Sequence, residues 1–374
     1  MVADGEYPFF TCARESYRIN KYAFDCEALL VSGNGANVGY VHYYNGKFNT
    51  YQRTYVISDF SADVHFLKLF LDRNLQDRIR VEVNAGNTPY ITMGTLTEME
   101  VVLPSNPTQQ RAIAETLSDV DGLIAALNKL IAKKRAIKQA AMQQLLTGKT
   151  RLPGFTGEWK MKMLGEIADI KNGSTPSTQV DAFWNGSIPW CIPTDITSTP
   201  GKYLTRTERR ITKDGLASCA ASLLPAGALL LCTRATIGEV KIAATEICTN
   251  QGFKSLVCRQ DMSNEFLYYL LLTLKHQMLE KAIGSTFLEV GKKDVSSIVI
   301  SLPQYNEQLA IATVLSDMDA EIEALERRRD KTQQIKQGMM QQLLTGRIRL
   351  VDSTVNSKGI SAGKAEDSRV EAVS

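Results

Sequence analysis

The sequence predicts an α+β protein: two mixed domains separated by two long helices that form an antiparallel coiled coil, all related by a pseudo-two-fold repeat. Three observations predict it. The segment QRAIAETLSDVDGLIAALNKLIAKKRAIKQAAMQQLLTGKTRL from Gln110 aligns without a gap on QLAIATVLSDMDAEIEALERRRDKTQQIKQGMMQQLLTGRIRL from Gln308, with about 24 of 43 positions identical. Weaker matches extend the repeat. ALLVSGNGANVGYV from Ala28 parallels ALLLCTRATIGEVK from Ala228, and Leu103-Pro104 parallels Leu302-Pro303. Apolar residues between these helices alternate over short runs, as half-buried strands require.

The first mixed domain is assigned to residues 1–106 and the first long helix to 107–148. The second domain follows at 149–305, the second helix at 306–347, and a Ser-, Gly-, Lys- and Glu-rich tail at 348–374 is predicted to be disordered. The first domain opens at GEYPFF, which matches only the later GSIPWC. By the repeat, roughly 25 residues corresponding to the opening GEWKMKMLGEIADIKNGSTPSTQVDAFWN of the second domain are expected to be missing from the first. Within the first domain, Asn45-Gly46 between YVHYY and KFNTY predicts a type I′ hairpin turn. A short helix is expected in each domain, over DVHFLKLFLDRNLQ and NEFLYYLLLTLKHQMLEKA.

Each long helix follows proline punctuation and ends at a glycine, Gly148 or Gly346, suited to a left-handed C′ position. At about 1.5 Å per residue, roughly 40 residues span about 60 Å. Such a helix needs a partner. Ile113, Leu117, Val120, Ile124, Leu127 and Ile131 recur at alternating spacings of four and three, as do Ile311, Leu315, Met318, Ile322 and Leu325. That is a coiled-coil seam. Asp119, Asp121, Asp317 and Asp319 lie in the N-terminal halves, and the clusters Lys133 to Arg135 and Arg327 to Arg329 lie further along. Antiparallel packing would bring acidic starts against basic ends.

Composition narrows the function. A net charge of +3 places any nucleic-acid contact in local clusters. Seven scattered cysteines with no Cys-x-x-Cys pair and only three histidines argue against a metal site or disulfide framework and fit a reducing cytoplasm. No signal peptide or membrane-spanning run is legible. Gly33-Asn34-Gly35 with Gly39 has the wrong spacing for a dinucleotide fingerprint and precedes a strand. Asn106-Pro107 precedes Thr108 and Gln109, unlike the motif of an amino-methyltransferase. No Walker A, paired-histidine or nucleophile-elbow motif appears. No catalytic or metal-ligating residue is assigned.

The duplicated IKQAAMQQLLTGKTRLPGF and IKQGMMQQLLTGRIRL, the LSDVD and LSDMD starts, and GEW…LGEIADIKNGSTP resemble the specificity subunit of Type I restriction-modification systems. The resemblance covers nearly the whole chain except the tail and departs from the pattern at the opening of the first domain. It implies two target-recognition domains, each reading half of a bipartite double-stranded DNA sequence. It further implies two methylation subunits docked on the helices, carrying S-adenosylmethionine, and restriction subunits that use ATP and Mg. This chain would hold no cofactor and perform no catalysis. A non-DNA-binding coiled-coil adaptor, an incomplete or silent specificity subunit, and a self-sufficient methyltransferase are the competing readings.

Base readout needs Arg, Lys, Asn or Gln at groove edges, with Ser and Thr anchoring phosphates. In the second domain these are Lys171, Asn172, Ser174, Thr175, Arg234, Thr236, Asn250, Gln251, Lys254, Ser285, Thr286, Lys292 and Lys293. The first domain offers Asn34, Asn37, Gln52, Arg53, Asn87 and Thr88. Lys202, Arg206, Arg209, Arg210 and Lys213 form a further basic cluster, either phosphate-facing or simply solvated. The best-repeated helix ends, with Ile137, Met142, Leu145, Leu146, Ile335, Met340, Leu343 and Leu344, are expected to grip two identical partners.

Overall fold

A computed structural model describes residues 4–82, 89–283 and 288–350. The expected tail from Val351 onward lies outside them. The chain divides into two compact units, one comprising residues to Ala126 and from Arg328, the other Leu127–Arg327. The division falls inside both long helices.

The first unit contains β1 (Tyr7–Phe10), β2 (Tyr17–Ile19), β3 (Phe24–Ser32), β4 (Val41–Thr50), β5 (Thr54–Ile57), α1 (Val64–Glu82), α2 (Met93–Thr97) and the start of α3 (Pro107–Leu145). Its sheet has the order β2-β1-β4-β3-β5. Successive residues of β3 point to opposite faces, and both faces are buried. Leu29 and Val31 pack with Leu71, Leu75 and Ile79 of α1, while Ala28 and Leu30 pack with Phe10 and Phe48.

The expected turn at Asn45-Gly46 is overturned. Both residues lie inside β4, opposite Glu27 and Cys26, in a ladder that runs unbroken from Phe24↔Phe48 to Val31↔Val41. The strands reverse instead between Ser32 and Tyr40, where the Ser32 N–H donates to the Tyr40 carbonyl at 2.9 Å. Gly46 takes φ +127° within the strand, so its conformational freedom serves an irregular strand position and not a loop.

The second unit contains β6 (Lys160–Met163), α4 (Leu164–Ile167), β7 (Ala168–Asn172), a 3₁₀ turn (Asp181–Phe183), β8 (Trp184–Cys191), α5 (Pro193–Ser198), β9 (Tyr203–Leu204), β10 (Arg209–Ile211) and α6 (Lys213–Ala217). There follow β11 (Leu229–Leu231), β12 (Val240–Ala243), β13 (Cys248–Thr249), β14 (Lys254–Cys258), α7 (Asn264–Thr273), α8 (Lys275–Glu280), α9 (Lys292–Ser296), β15 (Val299–Leu302) and the start of α10 (Tyr305–Leu343). Three sheets result: β7-β14-β11-β12-β9, β10-β8-β13 and β15-β6. The β11 residues divide as their counterparts in β3 do, Leu229 and Leu231 packing with α7, Leu230 with Cys232 and Phe253.

The match of GEYPFF to GSIPWC is real in three dimensions. β1 runs antiparallel to β2 and parallel to the end of β4, as β8 does to β10 and β13. The described residues of the first unit hold no counterpart of β6, α4 or β7.

Both units contain the same antiparallel helix contact. In the first, Ile113, Ala114 and Leu117 of α3 pack with Leu343 and Leu344 at the end of α10, beneath Phe66 and Phe70. In the second, Ile311, Ala312 and Leu315 of α10 pack with Leu145 and Leu146 at the end of α3. Charge follows the same exchange: Lys336 meets Asp121 at 2.7 Å, and Lys138 meets Asp319. Lys134 and Glu321, 2.6 Å apart, and the pair Arg135 and Glu326 add to the second unit. Of the predicted seam, Ile113, Leu117, Leu127, Ile131, Ile311, Leu315 and Ile322 are buried. Each helix ends as expected, with φ +70° at Gly148 and +71° at Gly346. Thr150 and Ile348 then donate back to the carbonyls of Gln144 and Gln342.

Candidate nucleic-acid interface

Three turns meet at one place in the second unit. The backbone after β7 joins the turn before β14 through Ser174 N–H to the Thr249 carbonyl, 2.9 Å, and that turn joins the β11–β12 connection through Thr233 N–H to the Gly252 carbonyl, 2.8 Å. A Cβ on Gly173 would come 1.8 Å from the Asn250 carbonyl oxygen, so glycine is required for this approach. Trp190 donates its indole N–H to the Ser174 carbonyl at 3.0 Å, and the Thr175 hydroxyl donates to Gln251 Oε1 at 2.5 Å. The loop is therefore held before any ligand arrives.

This frame brings together Lys171, Asn172, Ser174, Thr175, Arg234, Thr236, Asn250 and Gln251. Lys171, Asn172 and Gln251 are exposed, and the rest are half-buried. Lys292 and Lys293 are exposed at the start of α9, two residues beyond Val290, whose N–H donates to the Thr233 carbonyl. Asp169 is held below the usual carboxylate range first by its bond from Arg259, with the charges of Lys171 and Lys292 adding to it.

Two of the expected contacts need correction. Lys254 is buried, and its ammonium lies 3.1 Å from Glu289, so it serves the interior of the turn cluster. Arg234 shares the same carboxylate at 2.5 Å. Burial acts to raise the Glu289 carboxyl, but the bonds and charges of Lys254 and Arg234 outweigh it and hold the group below its ordinary value. The Arg234 guanidinium, 42% exposed, can reach a ligand only by sharing or leaving Glu289. Ser285 and Thr286 lie outside the described residues.

The first unit repeats the frame with different side chains. Gly33 N–H donates to the Arg53 carbonyl at 2.7 Å, the counterpart of Thr233 to Gly252, and Ile91 N–H donates to Gly33, the counterpart of Val290 to Thr233. Asn34 is bridged to Tyr90 as Arg234 is to Glu289. Gln52 and Arg53 are exposed. Asn37 instead donates its amide to the Cys12 carbonyl at 3.1 Å, so it pins the loop. Asn87 and Thr88 lie outside the described residues.

Sequence reasoning missed the aromatic members of this surface. Tyr51 is 56% exposed beside Gln52, and the Arg14 guanidinium lies 5.6 Å from the ring centroid of Tyr40, itself exposed. Tyr51 takes the place of Asn250, since its N–H donates to Phe10 as that of Asn250 does to Cys191. The signal that points to it is local: Tyr51 precedes Gln52 in the repeat as Asn250 precedes Gln251.

The second basic cluster separates into parts. Lys202 faces inward, 2.7 Å from the Ser316 hydroxyl and 3.0 Å from Glu265. Arg209 stacks over Trp184 at 3.8 Å. Arg206, Arg210 and Lys213 are exposed.

The helix-end residues also divide. Leu145, Leu146, Leu343 and Leu344 are 7%, 2%, 5% and 2% exposed, consumed by their own chain's core. The expectation that they meet a partner is corrected on that ground. Met142 and Met340 are partly buried against the same cores. Ile137 and Ile335 remain outward-facing, at 44% and 49%.

Residues 3–138 and 156–337 match the family described as Type I restriction modification DNA specificity domain. The EcoDI specificity subunit of Escherichia coli is 26% identical over 358 residues, 87% of this chain and 78% of that protein. The MjaIX specificity subunit of Methanocaldococcus jannaschii is 38% identical over 168 residues, 44% of this chain and 39% of that protein. The crystal structure of a Type I S subunit from M. genitalium aligns with a TM-score of 0.59 at 18% identity, covering 92% of this chain and 90% of that one. The HsdS subunit of Thermoanaerobacter tengcongensis aligns at 0.50 and 19%, covering 88% and 83%. These two likenesses are of fold. With the family match spanning most of both units, the chain belongs to the Type I restriction modification DNA specificity family.

Proposed function

We propose that this chain is the DNA-reading subunit of a Type I restriction-modification complex, in which each unit reads one half of a bipartite duplex target. One observation carries the reading: the same hydrogen-bonded turn frame occurs twice, with Asn34, Tyr90 and Tyr51 in one copy where the other has Arg234, Glu289 and Asn250. The long helices meanwhile keep about 24 of 43 positions, far more than the domains between them. A constant frame with altered side chains suits two different base sequences, because readout resides in the side chains that reach groove edges.

The chain supplies address, and its partners supply chemistry. Two methylation subunits would carry S-adenosylmethionine, and restriction subunits would use ATP and Mg. The outward residues shared by both helix copies, Ile137 with Gln139 and Gln143, and Ile335 with Gln337 and Gln341, offer two equivalent surfaces for two equivalent partners. No described helix is long and apolar enough to cross a membrane.

Mapping methylated adenines in DNA treated with the reconstituted complex tests the proposal. A two-part motif is expected. Equal, weak binding of the complex to all duplexes would identify the chain as an adaptor instead.

A further inference from the structure

In the second unit, two tryptophans hold one loop at both ends. Trp184 and Trp190 stand near the two ends of β8, where six residues of regular strand would keep them about 20 Å apart. A bulge brings them together. Arg210 pairs with Pro189 and the next residue, Ile211, with Trp184, which leaves residues 185–188 between two successive pairs. Asn185 takes φ +60° there, and a Cβ on Gly186 would come 2.4 Å from the Ile211 carbonyl oxygen. The two indoles consequently meet edge to face, with centroids 5.0 Å apart, and both are buried. Each N–H finds an acceptor at 3.0 Å: Trp184 donates to the Ser177 carbonyl and Trp190 to the Ser174 carbonyl. The loop so held, residues 174–177, carries Thr175, whose hydroxyl donates to Gln251.

A single cation sits on this pair. The Arg209 guanidinium lies 3.8 Å from the ring centroid of Trp184 and 5.4 Å from that of Trp190. Such a seat fixes a long side chain without consuming its charge. Arg209 is exposed, and among the described residues no carboxylate pairs with it. Arg151, Arg234 and Arg259 of the same unit, by contrast, are taken up by Glu307, Glu289 and Asp169. Arg206, Arg210 and Lys213, also exposed, keep the surroundings positive. In the first unit the strand register puts Tyr17 opposite Phe9 as it puts Arg209 opposite Trp190. A phenol, 45% exposed, therefore stands there in place of the cation.

We infer that Arg209 takes a backbone phosphate of the DNA duplex, and that Trp184 and Trp190 are positioning residues that tie this contact to the loop carrying Thr175. The inference builds on the DNA reading proposed above and names a contact within it. Phosphate contacts fix register and orientation while base contacts specify sequence, so a device that joins the two must be rigid. The stack supplies that rigidity: the cation is seated on the same two rings whose N–H groups hold both ends of the loop. A guanidinium held by one face keeps N–H donors for the paired oxygens of a phosphate. With Tyr17 at the matching place, the first unit has no such charge, so the contact belongs to one half of the target only.

The test measures binding of the reconstituted complex to its mapped target duplex, with one uncharged methylphosphonate placed at each backbone position in turn. Arg209→Gln should weaken cognate and random duplexes alike by about tenfold and lower the slope of log affinity against log salt by about 1. At one backbone position the methylphosphonate should weaken the wild type by about the same factor and leave Arg209→Gln unchanged, because the two changes remove the same contact. Trp184→Phe and Trp190→Phe each keep an aromatic ring but remove one N–H. Both should leave the salt slope unaltered and lower base discrimination several-fold at the half-site beside that phosphate, with the other half-site unaffected. Should one indole variant fail to fold, the other decides, and Arg209, being exposed, is tested without disturbing the core. Additive losses at every backbone position, a loss for Arg209→Gln confined to the cognate duplex, or unchanged discrimination in the indole variants would overturn the inference. A wild-type complex with no preference among duplexes would instead remove the DNA reading itself, and this inference with it.

Discussion

Gln308 makes with the second unit the same pair of hydrogen bonds that Gln110 makes with the first. Gln110 accepts from the Asp63 N–H at 2.8 Å and donates to the Pro104 carbonyl at 2.7 Å; Gln308 accepts from the Ser263 N–H at 3.0 Å and donates to the Pro303 carbonyl at 3.1 Å. Both amides are buried, 2% and 3% exposed. Each one ties the start of the domain helix, capped by Asp63 or Ser263, to the entry of a long helix.

Replacing either glutamine by alanine would leave a buried donor and a buried acceptor unmatched. Each unmatched group costs about 1–3 kcal/mol. Gln110→Ala and Gln308→Ala are therefore expected to lower stability by about 2 kcal/mol or more, read from urea midpoints. Amide hydrogen exchange at Asp63 or Ser263 should accelerate only in the unit that carries the substitution.

The neighbouring position breaks the symmetry. Glu307, 1% exposed, receives both Arg151 Nε at 2.6 Å and Nη2 at 2.7 Å, while its repeat counterpart is the uncharged Gln109, which lines a cavity of the first unit together with Arg349. Arg151→Ala strands a buried carboxylate. Arg151 itself is 27% exposed, which moderates the loss to about 2 kcal/mol, below the ~3–5 typical of a fully buried pair. Arg349→Ala should stay within about 0.5 kcal/mol. Thermal unfolding of the two variants side by side checks the difference.

The helices were legible because their signals are local and doubled: the seam spacing, the proline entries, the terminal glycines and the opposed charges all point the same way. The sites were legible only as loops. That Lys254 turns inward to Glu289 depends on a residue 35 positions away, and no spacing rule reports it. Asn45-Gly46 misled because a turn dipeptide states what a backbone tolerates, while the β3 ladder decided what it does. The repetition of Leu145 and Leu343 points equally to a partner contact or to a core contact. Repetition marks any shared constraint, and here that constraint is the reciprocal core contact of the helix ends.

Acid should loosen the second unit's turn cluster. The Glu289 carboxyl lies below its ordinary value of 4.5 in the folded chain, so its contribution is present above that value and is lost as pH falls through the lower, folded one. Glu289→Gln removes this pH-dependent part. The melting temperatures of the wild type and Glu289→Gln should differ most near neutrality and converge as pH falls below 4.5 and through the lower folded value. A gap that widens on acidification would contradict the assigned direction.

The proposed readout predicts different fingerprints for neighbouring side chains. Gln251 is exposed and accepts from the Thr175 hydroxyl, so Gln251→Ala should cost about 1–3 kcal/mol on the cognate duplex, confined to base pairs of one half-site. Tyr51→Ala should act on the other half-site. Lys171, exposed and extending from β7, suits a phosphate. Lys171→Ala is expected to weaken cognate and random duplexes alike and to reduce the slope of log affinity against log salt by about 1. Arg234→Ala combines two effects, because it also strips a cation from Glu289. Its cost should therefore exceed that of Gln251→Ala and should shrink in a Glu289→Gln background, where Arg234 has no carboxylate charge to offset. Binding of the assembled complex to duplexes substituted one base pair at a time measures all four, and uniform loss for Gln251→Ala would remove it from base readout.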